Sequence, residues 1–207
     1  PQFLFNITMQ NHGGYYASDY EWPVRVHEVS PVNSYDESVI AYESSVHMAD
    51  ESVRQLISYF ETVDEPTVVL FFGDHEPRLS NEFYSSWFTD ENELDLETTA
   101  QLHKTPFFIW GNYNLNTESI QKGSVVSLNY LSTVLFQTAG VQLSPYQEYL
   151  ADLRMEHPLI TARYFTTAFG NKVGTAPSAF TDSIREYQWL QYNCVFDRAH
   201  RIPGFYS

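Results

Sequence analysis

An acidic and an imidazole side chain, Asp74 and His75, stand next to each other directly after an apolar run at residues 67–72. The run favours a buried strand, and Gly73 then lets the backbone turn sharply. In α/β proteins, ligands bind where such strands end. Carboxylate and imidazole groups both bind divalent metal ions, so the pair predicts half of a metal site. Alternatively, the two residues have a purely structural role, in which Asp74 caps the next segment and His75 packs on the loop.

A second histidine, His12, follows another apolar run at residues 2–8, within the stretch TMQNHGGY. If both runs are parallel strands of one sheet, His12 lies on the same edge as Asp74 and His75. An imidazole at that edge can donate to phosphate oxygens or act as a general acid. A turn built from Asn-His-Gly-Gly is the structural alternative.

The other titratable residues near these positions have weaker patterns. Glu76 follows the Asp-His pair and either orients His75 from outside a metal site or is exposed to solvent. His103 precedes the last predicted strand and can lie near the same edge, whereas His47 is predicted on the surface of a helix. The remaining histidines are predicted to be surface or loop residues: His27, His157 and His200.

Composition excludes several classes of function. The formal net charge is −15, from 26 acidic and 11 basic residues. This balance argues against binding to nucleic acid and against unaided docking on an anionic membrane. Hydrophobic residues make up 43% of the chain, as in globular proteins, and no 18-residue apolar run predicts a membrane span. The single cysteine, Cys194, excludes an internal disulfide.

Strand and helix patterns alternate along the 207 residues. This alternation predicts an α/β fold with a mostly parallel sheet flanked by helices. Because an apolar strand begins at once, we expect residues 1–207 to be part of a longer chain. The predicted strands are 2–8, 67–72 and 105–111. The predicted helices are 35–61, 129–139 and 180–196. A short helix and an extension are predicted within 146–160, and a hairpin is predicted within 161–175. Residues 11–34 and 78–104 are predicted to be irregular.

Five motifs occur in a fixed order: TMQNHGGY, ADESVRQLISYF, VVLFFGDHEP, TPFFIWGN and REYQWLQYNCVFD. Together they resemble the C-terminal half of the extracellular sulfatase-like domain of lipoteichoic acid synthases and related phosphoglycerol transferases. That family belongs to the alkaline phosphatase superfamily. The resemblance implies an alkaline phosphatase/sulfatase-like fold, in which residues 1–207 form a single C-terminal portion of an incomplete catalytic domain.

The resemblance also assigns site residues. Asp74 and His75 match adjacent ligands of one manganese ion, with Mg²⁺ or Zn²⁺ as alternatives, and His12 matches a histidine that contacts glycerophosphate. The family's nucleophile is a metal-bound threonine, and a glutamate completes the site. Neither has a match here, so both are expected upstream. We therefore expect the 207 residues alone to be inactive and to bind manganese weakly.

The implied activity is metal-dependent transfer of glycerophosphate from a phosphatidylglycerol-like phospholipid headgroup, through a covalent phosphothreonine, to a glycerophosphate polymer acceptor. The implied location is the outer side of a bacterial cell membrane, with anchoring only through upstream helices. A sulfatase, a phosphoethanolamine transferase and a non-catalytic cell-surface binding domain remain alternatives. An unpaired sheet edge also predicts self-association of the isolated chain.

Overall fold

The computed structural model describes residues 2–15, 24–26, 37–87, 95–118 and 120–206. These residues contain six α-helices and four short strands, which confirms the predicted α/β class. The chain divides into two compact units. The first unit comprises residues 1–65 and 75–105, and the second comprises residues 66–74 and 106–207.

The longest element of the first unit is helix α1, Glu37–Phe60, which confirms the helix predicted over 35–61. Its buried residues all lie in its N-terminal half, and they include Ile40 and Ser44. Ser44 Oγ donates to the carbonyl of Ile40 and accepts from the backbone N–H of Val26. The buried hydroxyl is thus satisfied. Leu56, in the C-terminal half, is exposed.

Two short helices, α2 (Asn81–Trp87) and α3 (Leu96–Leu102), lie in the part of the first unit predicted to be irregular. Each has seven residues, too few for a three- and four-residue period to stand out. The N-cap of α3 is Asp95, whose side chain accepts from the N–H of Thr98 at 2.7 Å. In the sequence, the N-cap residue Asp95 was therefore the signal that could have predicted the start of α3.

The second unit contains a sheet of β1 (Val68–Phe72) and β2 (Phe107–Gly111). Both strands confirm their predictions, but they pair antiparallel, and the same holds for the other described sheet. The prediction of a mostly parallel sheet is therefore wrong for the described strands. The connection between β1 and β2 includes two helices, so it is long enough to place β2 either parallel or antiparallel to β1. The apolar pattern of a strand is the same in both cases.

The strand predicted at residues 2–8 is also wrong. Residues 2–9 have no regular structure, and Phe3 is 77% exposed and Leu4 is 89% exposed. An isolated strand needs a hydrogen-bonded neighbour to satisfy its backbone groups. Among the described residues, no strand pairs with this segment.

The rest of the second unit follows the predicted order. Gly140 has φ 70° and closes the first of its helices, as the sequence predicts. Gly170 has φ 82° in the turn of the small hairpin. The bounds are α4 Leu128–Ala139, α5 Pro145–Glu156, β3 Tyr164–Thr166, β4 Lys172–Gly174 and α6 Asp182–Val195.

The core of the second unit lies between α4, α5 and α6. Tyr130 is fully buried and packs with Leu150, Leu153 and Tyr187. Tyr130 donates from its hydroxyl to the carbonyl of His157 at 2.8 Å, so its polar atom is satisfied inside the core. None of the described helices is both long and apolar enough to span a membrane.

Candidate active site

His75 is oriented by the backbone of its neighbour. Its Nδ1 atom lies 2.8 Å from the carbonyl oxygen of Glu76. A carbonyl oxygen only accepts, so Nδ1 donates, and the lone pair of the neutral ring is on Nε2. Histidines that bind metals commonly make this hydrogen bond with the other ring nitrogen. The geometry of His75 therefore fits a metal ligand.

Asp74 is the other predicted ligand, and it is exposed at the end of the segment that carries β1. The preceding Gly73 donates from its N–H to the carbonyl of Pro106 at 3.1 Å, which extends the pairing of β1 with β2. Asp74 belongs to the second unit, whereas His75 begins a segment of the first unit. An exposed carboxylate is a suitable ligand for a hard divalent ion.

The donors present fit part of a divalent metal site. In the described part of the chain, no group of three or more His, Cys, Asp or Glu side chains is arranged to hold a metal ion. A catalytic ion commonly takes three protein ligands and keeps an open position. Asp74 and His75 offer an oxygen and an unprotonated nitrogen, so further ligands are needed in addition to this pair.

The carboxylate of Glu76 contacts a different histidine from the one considered in the sequence. Orientation of His75 and exposure to solvent were the two alternatives, but Oε1 of Glu76 lies 2.7 Å from Nδ1 of His103. The backbone carbonyl of Glu76 orients His75 instead. Glu76 therefore holds two imidazoles at once, one through its backbone and one through its side chain. The pairing of Glu76 with His103 has no signal in the sequence, because 27 residues separate them.

His12 is exposed and lies in a turn. Its N–H donates to the carbonyl of Met9 at 3.2 Å, and the following Gly14 has φ 104°. The turn considered as the structural alternative is therefore present. The predicted contact of His12 with glycerophosphate stays a prediction.

Three tyrosines of the first unit contact the loop of His12, helix α1 and the loop that follows His75. The rings of Tyr15 and Tyr42 meet edge to face with centroids 5.3 Å apart. Burial and the nearby Tyr84 raise the pKa of Tyr42, and burial, Tyr42 and Tyr84 raise the pKa of Tyr15. Tyr84 in turn donates to the carbonyl of Pro77 at 2.5 Å. Tyr15 thus packs on helix α1, and Tyr84 holds the loop that follows His75.

His157, predicted to be a surface or loop residue, is 2% exposed in the second unit. Its Nδ1 donates to the carbonyl of Thr166 at 2.8 Å. Its Nε2 lies 3.0 Å from Oγ1 of Thr181 and 3.1 Å from Oγ of Ser183. These bonds join the end of α5 to β3 and to the start of α6. His157 is therefore a loop residue just after α5, as one of the two predicted alternatives has it, but it is not on the surface. Its burial depends on partners 9 to 26 residues away, and the role of the ring is structural.

The other histidines remain outside the candidate site. His47 is exposed on α1, as predicted. His200 is exposed, and its Nδ1 lies 2.8 Å from Oδ1 of Asp197. His27 lies outside the described residues.

This chain is similar to a curated protein and to a solved structure. The relative is a protein of Rhizobium meliloti (strain 1021) named as a candidate for cyclic beta-1,2-glucan modification. It is 26% identical over 216 residues, and the match covers 100% of this chain and 33% of the relative. The chain therefore spans about one third of the length of that protein.

The solved structure is the phosphoglycerol transferase GacH of Streptococcus pyogenes in complex with sn-glycerol-1-phosphate. The two folds match with a TM-score of 0.59 at 19% identity, over 97% of this chain and 46% of GacH. This likeness confirms the predicted alkaline phosphatase/sulfatase-like fold. The family model described as Sulfatase matches residues 1–141, which is more than half of the chain. This protein therefore belongs to the sulfatase family.

Proposed function

We propose that this chain is part of a metal-dependent phosphoglycerol transferase, which moves glycerophosphate from a phospholipid headgroup to an acceptor hydroxyl. The observation that carries the proposal is the hydrogen bond from Nδ1 of His75 to the carbonyl of Glu76, which leaves Nε2 unprotonated beside Asp74 in sequence. Membership of the sulfatase family and the likeness in fold to GacH support the same activity.

Asp74 and His75 would hold the ion, with Mn²⁺ as the first choice and Mg²⁺ or Zn²⁺ as alternatives. A bound divalent ion lowers the pKa of a coordinated hydroxyl and stabilises negative charge on phosphoryl oxygens. Asp74 contributes a negative carboxylate, and Glu76 keeps the ring of His75 in the ligating tautomer. The nucleophilic threonine and a further glutamate ligand are expected in the upstream part of the natural protein.

His12 would bind the phosphoryl group of the substrate. An exposed imidazole on a turn can donate to a phosphate oxygen, and such charge-assisted bonds are stronger than neutral ones. Gly13 and Gly14 carry no side chain, which allows the substrate to approach the backbone closely. The proposed route passes through a glycerophosphate ester of the threonine, which an acceptor hydroxyl then attacks.

Two acceptors are consistent with this route. A glycerophosphate polymer is the acceptor that the motifs imply. A glucan is the second candidate, because the Rhizobium meliloti relative is named for modification of cyclic beta-1,2-glucan. Both present an alcohol to the phosphorus atom. The proposed location is the outer face of a bacterial membrane, where a phospholipid headgroup is within reach.

The activity is tested with the whole natural protein and vesicles that contain phosphatidylglycerol. We expect release of diacylglycerol and transfer of glycerophosphate to an added glycerophosphate polymer or cyclic glucan, together with a phosphothreonine adduct detectable by mass spectrometry. Asp74→Asn and His75→Gln should each lower the rate by about 100-fold or more, since even the partners of metal ligands contribute about 10–100-fold.

The matched control replaces the exposed His200 and its half-buried partner Asp197 with Gln and Asn, which should leave the rate unchanged. Release of diacylglycerol from phosphatidylethanolamine would instead favour a phosphoethanolamine transferase. Hydrolysis of an aryl sulfate would favour a sulfatase. Absence of turnover with all three substrates, in a protein that still binds sn-glycerol-1-phosphate, would identify a binding domain.

A further inference from the structure

His103 is held in place at two points within the first unit. It is the C-cap residue of α3, and its N–H donates to the carbonyl of Thr99 at 3.3 Å. Its Nδ1 lies 2.7 Å from Oε1 of Glu76. The side chains of His103 and Glu76 are 48% and 34% exposed, so the ring is accessible to a dissolved or membrane-bound substrate while its partner is more shielded.

The hydrogen bond with Glu76 sets the chemistry of the ring. A carboxylate accepts, so Nδ1 carries the hydrogen and the lone pair of the neutral ring is on Nε2. In the part of the chain that the structure describes, no hydrogen bond engages Nε2 of His103. This is the arrangement of a general base whose ring is oriented by a third group.

His103 is also tied to the proposed metal ligand. The same Glu76 binds His103 through its carboxylate and His75 through its backbone carbonyl. Both imidazoles therefore lie within the reach of a single residue.

We propose that His103, positioned by Glu76, is the acid and base that exchanges protons with the alcohols of the transfer reaction. This inference rests on the proposed function. In the first half-reaction, protonated Nε2 gives its proton to the diacylglycerol oxygen as the bond from that oxygen to phosphorus breaks. In the second, neutral Nε2 takes the proton of the acceptor hydroxyl as the acceptor oxygen bonds to phosphorus and the threonine oxygen leaves. The ring ends in its starting state, so the proton count balances over one cycle.

The leaving group of the donor provides the test. Diacylglycerol needs a proton to leave, whereas nitrophenolate does not, so an acid matters for phosphatidylglycerol and not for a nitrophenyl ester of glycerophosphate. In the whole natural protein, His103→Gln should lower turnover of phosphatidylglycerol by about 10²–10⁴-fold, the usual range for a general acid or base. The first-turnover burst of nitrophenolate should stay close to that of the natural protein.

Two further variants separate the roles of the pair. Glu76→Gln keeps an oxygen that accepts from Nδ1–H, so it should lower turnover of phosphatidylglycerol much less than Glu76→Ala. His103→Gly should regain part of its turnover when imidazole is added. His200→Gln is the matched control, because His200 pairs with Asp197 at 2.8 Å in a similar exposed arrangement. This control should not change turnover of either donor.

A first-turnover burst of nitrophenolate that falls as much in His103→Gln as turnover of phosphatidylglycerol does would overturn the inference, and so would turnover of phosphatidylglycerol equal to that of the natural protein. The inference would also be overturned if added imidazole did not restore any turnover of phosphatidylglycerol to the His103→Gly variant. Failure of the proposed function gives a different result. In that case the natural protein itself would release neither diacylglycerol nor nitrophenolate.

Discussion

Oε1 of Glu76 lies 2.7 Å from Nδ1 of His103, while the backbone oxygen of Glu76 accepts from Nδ1 of His75 at 2.8 Å. One residue thus orients two imidazoles through chemically independent groups. A substitution of its side chain removes the first contact and leaves the backbone oxygen in place. The two imidazoles can therefore be perturbed separately.

In Glu76→Ala, we expect His103 to lose its preference for the tautomer protonated at Nδ1, whereas His75 should keep it. The reason is that only the carboxylate is removed. Nitrogen chemical shifts of the two imidazoles, measured by NMR at a pH where both rings are neutral, report the tautomers directly. A change at His75 equal to that at His103 would contradict the assignment of the backbone contact.

The isolated 207-residue chain should bind manganese weakly and should not turn over phosphatidylglycerol. Asp74 and His75 supply two ligands, and no larger group of His, Cys, Asp or Glu that could hold a metal occurs among the described residues. Two ligands do not define the coordination geometry of a catalytic ion. Titration calorimetry measures the affinity. Tight binding of one manganese per chain, abolished by Asp74→Asn, would show this prediction to be wrong.

His157→Ala should lower the free energy of unfolding by about 2–4 kcal/mol, because it creates a cavity and leaves buried hydrogen-bonding groups without partners. The carbonyl of Thr166 loses its donor, and the hydroxyl of Thr181 loses a contact. Urea denaturation measures the change. The exposed His200 is the control, and His200→Ala should stay within about 0.5 kcal/mol of the natural chain. Equal effects of both substitutions would show that the buried contacts contribute little.

Stability should fall at alkaline pH because the second unit buries several tyrosines. Burial is the largest cause that raises the pKa of Tyr149 to about 12, and it also raises the pKa of Tyr130, Tyr146 and Tyr187. In the unfolded chain a tyrosine titrates near about pH 10. Above that pH the unfolded state loses protons first, so the stability present below it is lost as the pH rises through the folded values.

Urea midpoints measured from about pH 9 to about pH 12 test this alkaline loss. Tyr149→Phe should make the decrease shallower, because one titrating group is removed. A midpoint that does not change over this range would contradict the prediction.

The isolated chain should self-associate in a concentration-dependent way. Within the described residues, β1 pairs only with β2, which leaves backbone groups at the outer edges of both strands. Leu4 and Ile7 are 89% and 69% exposed in the segment at residues 2–9. Sedimentation equilibrium should show association, and Leu4→Lys with Ile7→Lys should weaken it. Met155→Lys, at a residue 77% exposed on α5, is the control. A monomer at all concentrations would contradict the prediction.

Local signals in the sequence were sufficient for most helices. Helix α4 ends at Gly140, whose left-handed conformation suits a residue without a side chain. Helix α5 begins with a capping box between Ser144 and Gln147. Such signals act over a few residues, so they can be read without knowledge of the rest of the fold. The helices α2 and α3 were missed because seven residues carry too little periodicity.

The sequence by itself determined that Asp74 and His75 are adjacent after a strand and that the chain has α/β character. Only the tertiary structure decided that β1 and β2 run antiparallel, that Glu76 meets His103 and that His157 is buried. Each of these features depends on residues far apart in the chain, and the apolar pattern of a segment is the same whichever distant partner it meets. The orientation of His75 is local, but its tautomer follows only from the position of the Glu76 carbonyl.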